Sequence, residues 1–176
     1  MIQKSAFLVI LSVLAASCNA QVPDSMLQQT QQNQKGTTVE KIHKTDEEWM
    51  KELTPEEFRI TRKAGTERPY TGKYWNTHDT GIYVCRCCGN ELFESDTKFD
   101  SFCGWPSFFG PKFKEAITYY RDTSLPYEER TEVRCARCNA HLGHVFNDGP
   151  EPTGLRYCIN SASLVFVPAK SSVSAK

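Results

Sequence analysis

Apolar and polar residues follow four successive patterns along this chain. Lys4 precedes a nearly unbroken apolar run, Ala6-Phe7-Leu8-Val9-Ile10-Leu11-Ser12-Val13-Leu14-Ala15-Ala16. The run is shorter than the roughly 20 residues needed to cross a bilayer, so it reads as the core of an export signal over residues 1–20. Residues 21–45 carry repeated glutamine (Gln28, Gln29, Gln31, Gln32, Gln34) and few aromatic or branched apolar side chains. Burial cannot offset chain entropy there, and a flexible linker is expected. Helical spacing then begins: Trp49, Met50 and Leu53 predict a helix over residues 46–53. Thr54-Pro55-Glu56-Glu57 is a capping box with proline in the first turn, which starts a second helix running to about residue 64. Gly65 is placed to stop it in the left-handed conformation.

Beyond residue 80 the pattern becomes short β-favouring runs separated by turn residues. Such runs occupy residues 81–85, 91–93, 116–120, 131–134, 141–146 and 157–167. A mainly β, antiparallel domain with short N-terminal helices is expected over residues 46–168, followed by a disordered tail at 169–176. Alternation in the last run puts Arg156, Cys158 and Asn160 on one face and Tyr157 and Ile159 on the other.

Composition narrows the function. Lysine plus arginine equals aspartate plus glutamate at 21 each, so no net field favours a polyanion, and no nucleic-acid partner is expected. After the signal core, Ser17-Cys18-Asn19-Ala20-Gln21 offers cleavage after Ala20 or processing at Cys18 with a lipid on its thiol. The protein is expected to be exported, periplasmic or held at the envelope through a lipidated Cys18.

The remaining cysteines divide by spacing. Cys85-Arg86-Cys87-Cys88-Gly89 and Cys135-Ala136-Arg137-Cys138-Asn139 each contain two thiols three residues apart, followed by a residue that tolerates the left-handed region. Two such units, with 46 residues between Cys88 and Cys135, suit one tetrahedral zinc ion held by Cys85, Cys88, Cys135 and Cys138. Two structural disulfides, a redox-active Cys-x-x-Cys, or a zinc site built from Cys135, Cys138, His141 and His144 remain as alternatives. Cys87 sits too close to Cys85 for the usual bite and is a spare thiol. Cys158 stands alone in an apolar run beside polar residues and is the candidate working thiol.

Three segments carry a resemblance. Phe99-Asp100-Ser101-Phe102-Cys103-Gly104-Trp105-Pro106-Ser107-Phe108, His141-Leu142-Gly143-His144-Val145-Phe146 and Arg156-Tyr157-Cys158-Ile159-Asn160-Ser161-Ala162-Ser163-Leu164 together resemble the B-type peptide methionine sulfoxide reductases, specific for the R epimer at sulfur. The resemblance implies two antiparallel β-sheets with one structural zinc, and thiol-dependent reduction of methionine R-sulfoxide in oxidised proteins. It implies Cys158 as nucleophile, with His141, His144 and Asn160 polarising the sulfoxide oxygen and delivering protons. It implies that Trp105 packs on the S-methyl group, with Phe146 as a second candidate for that wall. The resemblance also implies that Cys103 resolves the Cys158 sulfenic acid as a Cys103–Cys158 disulfide, which a thioredoxin-like reductant would reopen. Arg156, Ser107 and Thr71 are further candidates for substrate contact.

Two expectations come from chemistry alone. Cys158 must be ionised to attack, which calls for a thiol pKa below the usual value of about 8.5. Gly143 permits a bulge that aims both histidines inward despite their odd spacing.

Overall fold

The computed structural model describes residues 25–28 and 39–169. The expected signal segment with Cys18, most of the expected linker and residues 170–176 lie outside the described residues. Among the described residues no helix is long and apolar enough to cross a membrane.

Order begins upstream of residue 46. The Ile42 amide donates to the Arg137 carbonyl at 2.8 Å, and Lys41 Nζ donates to the Ala136 carbonyl at 2.7 Å. The C-terminal end of the expected linker is therefore tied to the domain. Helix α1 (Asp46–Glu52) starts from a capping box at Thr45 and Glu48, which the apolar spacing alone did not reveal. Helix α2 (Pro55–Lys63) starts from the expected box at Thr54 and Glu57. Its stop is one residue earlier than expected: Ala64, not Gly65, takes the left-handed conformation, with φ 52°. Gly65 is favoured for space, because a Cβ there would meet the Arg59 carbonyl oxygen at 2.9 Å.

Among the described residues nine strands follow: β1 (Gly81–Cys85), β2 (Glu91–Glu94), β3 (Lys98–Phe99), β4 (Ser107–Phe108), β5 (Ile117–Leu125), β6 (Glu128–Cys135), β7 (His141–Phe146), β8 (Arg156–Ile159) and β9 (Leu164–Pro168). They form a three-stranded sheet, β2-β1-β9, and a six-stranded sheet, β3-β4-β8-β7-β6-β5. Every pairing is antiparallel. Aromatic rings join the two sheets. Phe93 of β2 stacks on Phe108 of β4 with centroids 4.4 Å apart, and Tyr83 of β1 meets Phe108 edge-on at 5.1 Å. These rings and Tyr157 are buried in one core with Ile117, Val133, Leu142 and Ile159.

The run read as one strand over residues 157–167 is two strands in different sheets. A short 3-10 turn, Ser161–Ser163, separates β8 from β9. The buried carboxylate of Glu67 explains the break. Its oxygens accept from the Ser161 and Ala162 amides at 2.7 and 2.9 Å, ending the ladder there.

Candidate active site and metal centre

The two Cys-x-x-Cys units fold as matching knuckles. Cys85 and Cys135 end β1 and β6, and in each case the carbonyl accepts from the residue four further on, Gly89 or Asn139, at 2.9 Å. Gly89 and Asn139 take φ of 72° and 58°, the left-handed region expected of them. The four sulfurs of Cys85, Cys88, Cys135 and Cys138 lie within 4.8 Å of one another. The Cys85–Cys138 and Cys88–Cys135 separations are both 3.6 Å. A disulfide needs about 2.05 Å, whereas four thiolates around a metal at about 2.3 Å stand roughly 3.8 Å apart. The donor set therefore fits a closed tetrahedral metal centre. The rival set fails because His141 and His144 are bonded to carboxylates on the sheet. Cys87 packs against the core beside the cluster without joining it.

The second cysteine cluster is built on the larger sheet. On β8, Tyr157 and Ile159 face the core, which leaves Arg156 and Cys158 on the opposite face. Ladder register places Cys158 between Ser107 of β4 and His144 of β7, and continues the row to Glu132 of β6 and Tyr120 of β5. Cys103 reaches the row from the loop before β4. Its sulfur lies 3.6 Å from that of Cys158, with Ser101 and Ser107 hydroxyls at 2.9 and 3.5 Å.

That pair shares its charge differently from the sequence expectation. The Cys158 S–H beside it and the two serine hydroxyls outweigh burial and hold the Cys103 thiol down at about 4. Cys158 is pushed up, first by Cys103 and then by burial, with Arg156 opposing. The resting thiolate belongs to the pair and favours Cys103. The more exposed loop position with extra donors is the easier place for the anion.

Both histidines do share this face, through the expected bulge. Val133 pairs with Gly143 and Arg134 with His141, so Leu142 is the extra residue of β7. Glycine is required at 143 by close approach: a Cβ there would sit 2.0 Å from the Cys158 carbonyl oxygen. The two imidazoles meet edge-on at 5.5 Å. His141 Nδ1 bonds Glu132 at 2.6 Å, and His144 Nε2 bonds Asp122 at 2.7 Å. Each carboxylate also takes an arginine, Arg134 on Glu132 at 2.8 Å and Arg130 on Asp122 at 2.7 Å. Burial pushes Glu132 up, yet His141 and Arg134 outweigh it and keep the carboxyl below its usual range. Asp122 is held well down in the same way, burial being outweighed by Ser124, His144 and Arg130. Burial lowers His144 despite Asp122.

The remaining predicted residues divide between the site and its support. The Trp105 indole donates to the Glu67 carbonyl at 3.1 Å, which fixes the ring beside the Cys103 loop. Asn160 is buried and tied down: its amide donates to the Leu142 carbonyl and its oxygen accepts from the Glu67 amide, both at 3.0 Å. Asn160 thus locks the end of β8 to the bulge. Phe146 lies under the Arg156 guanidinium, 4.4 Å from ring centroid to carbon, and Arg156 also forms a forked pair with Asp148 at 2.8 Å. Thr71 caps its own turn through the Arg68 carbonyl.

Sequence reasoning did not find Glu67, Asp122, Glu132 or Asp148. Asp122 and Glu132 look like ordinary solvent-facing charges of a hairpin, and only the ladder register shows that they meet the histidines.

Comparison with known proteins places this geometry. The SelR domain family matches residues 53–168, which include both knuckles, the Cys103 loop, both histidines and Cys158. The chain is 62% identical over 124 residues to the peptide methionine sulfoxide reductase MsrB of Acinetobacter baumannii (strain AYE), a match covering 70% of this chain and 88% of that one. It is 61% identical over 124 residues to MsrB of Acinetobacter baylyi, with the same shares covered. It is 57% identical over 128 residues to MsrB of Hahella chejuensis, covering 73% of this chain and 91% of that one. With two thirds of its length matched and relatives this similar, the chain belongs to the SelR domain family, that of the peptide methionine sulfoxide reductases MsrB.

Proposed function

We propose that this protein is a repair oxidoreductase that returns methionine R-sulfoxide in oxidised proteins to methionine. The observation that carries the reading is the Cys103–Cys158 sulfur pair at 3.6 Å, set in one sheet row with His144 and beside the Trp105 loop. It is supported by the relatives named above.

The chemistry runs in three balanced steps. As Cys158 attacks the sulfoxide sulfur, its proton passes to the Cys103 thiolate, and a histidine gives a proton to the oxygen. The substrate S–O bond breaks, oxygen transfers to Cys158, and methionine leaves with Cys158 as sulfenic acid. Cys103 then attacks Cys158, forming the disulfide and releasing water. A dithiol reductant of the thioredoxin type reopens it by exchange and is itself oxidised. Trp105, with Phe146 as a second wall, seats the S-methyl group. Asn160 holds the bulge that presents the histidines.

The four-thiolate centre holds zinc, whose closed coordination supplies stability and no reaction step. Its sulfurs are the only described set with that spacing. The signal-like run and Cys18 support export, with anchoring at the envelope through a lipid on Cys18. Fatty-acid labelling of wild type against Cys18→Ala tests the anchor, and equal labelling removes it. Cys158→Ser tests the reaction: it is expected to abolish reduction of methionine sulfoxide while metal content stays the same, and retained turnover would refute the assignment.

A further inference from the structure

The two histidines are bound through different nitrogens. Glu132 takes Nδ1 of His141, and Asp122 takes Nε2 of His144. A carboxylate held ionised by an arginine accepts hydrogen bonds and cannot donate them. The ring nitrogen that faces it must therefore carry the hydrogen, whatever the charge of the rest of the ring. Exchangeable protons are left to the other nitrogens, Nε2 of His141 and Nδ1 of His144. His141 is almost fully buried, and its Nε2 has no hydrogen-bond partner among the described residues.

We propose that Glu132 and Asp122 are positioning residues of the reductase: each fixes the tautomer and ring orientation of one histidine, so that the mobile proton sits on His141 Nε2 or His144 Nδ1. This rests on the reading above that the histidines deliver protons to the sulfoxide oxygen. Arg134 and Arg130 anchor the two carboxylates, which stay ionised through His141 and Arg134 at Glu132 and through Ser124, His144 and Arg130 at Asp122, a chain of guanidinium, carboxylate and imidazole built twice on adjacent strands. The two arginines and two carboxylates cancel in charge. A proton added to either ring is then the one uncompensated positive charge beside the thiol pair, apart from Arg156, which pairs with Asp148.

The charged and titratable groups around the rings come from four strands. They are Asp122 of β5, Glu132, Arg130 and Arg134 of β6, the other histidine of β7, and Cys158 and Arg156 of β8. Replacing Asp122 by its amide removes the negative partner of a His144 imidazolium. Such a partner raises the imidazole pKa, so its loss lowers it. Proton donation then fails at lower pH, and the alkaline limb of the kcat profile moves down.

Ring nitrogen-15 spectroscopy on the full metal-bound chain, labelled at its four histidines, reads the tautomers directly. His141→Gln and His144→Gln assign the signals. His141 is expected with hydrogen on Nδ1 and His144 with hydrogen on Nε2. Glu132→Gln and Asp122→Asn are each expected to lower kcat about 10- to 100-fold with KM little changed, and Asp122→Asn also to shift the alkaline limb down. The opposite tautomers in the wild-type protein overturn the proposal. So do amide variants with unaltered kcat and pH profile, or variants that lose only thermal stability. Full turnover by both histidine variants would instead refute proton delivery, leaving the tautomers as a separate structural fact.

Discussion

The sulfur of Cys103 lies 3.6 Å from that of Cys158, although 54 residues of chain separate the two positions. Neither sulfur moves far to form the disulfide bond of about 2.05 Å. This spacing suits Cys103 to the proposed role of resolving thiol. Cys103→Ser is expected to yield about one methionine per enzyme in a single turnover and then stall with a thioredoxin-type reductant. Rapid quench with methionine quantitation checks it, and sustained recycling would move the resolving role to another thiol.

The shared charge of the pair gives a pH signature. A thiol held at about 4 is ionised across the neutral range. Alkylation of Cys103 by iodoacetamide should therefore reach its plateau by about pH 6, where an ordinary thiol of pKa about 8.5 is still mostly protonated. In Cys103→Ser the largest influence raising Cys158 is gone, so Cys158 should alkylate at lower pH than in the wild-type protein. Peptide mapping of the alkylated sites distinguishes the two cysteines.

Gly143 is legible in the sequence only as an oddity, a glycine between two histidines. The structure adds that a Cβ would collide with the Cys158 carbonyl at 2.0 Å. Gly143→Ala is expected to cost about 2–4 kcal/mol in urea unfolding and to disturb the paired β8 that carries Cys158. A change under about 0.5 kcal/mol would mean that the bulge relaxes freely.

The metal centre joins the end of β1 to the end of β6, one from each sheet. Removing it with a strong chelator, or through Cys85→Ser, is expected to lower Tm by about 10 °C or more. Wild-type protein should carry one zinc per chain by elemental analysis. Full zinc occupancy in Cys85→Ser would sink the four-cysteine assignment.

Much of the site was readable in one dimension because its chemistry is local in sequence. The Cys-x-x-Cys knuckles, the capping box at Thr54 and the bulge at Gly143 are set by residues a few positions apart. What escaped depends on residues far apart. Glu67 terminates β8 and β9 through amides 94 and 95 positions away, and nothing near Glu67 announces it. Strands β5 and β6 run further than the apolar pattern, to Leu125 and from Glu128, since the exposed end of a hairpin needs no buried face. Asp122 lies on that extension, so its bond to His144 was out of reach of periodicity.

The most direct test of the assigned activity is turnover of the separated R and S epimers of a peptide methionine sulfoxide, driven by dithiothreitol and followed on the metal-bound protein. Steady conversion of the R epimer to methionine, no conversion of the S epimer, and loss of all activity in Cys158→Ser are expected. Equal consumption of both epimers, or an active Cys158→Ser, would contradict it.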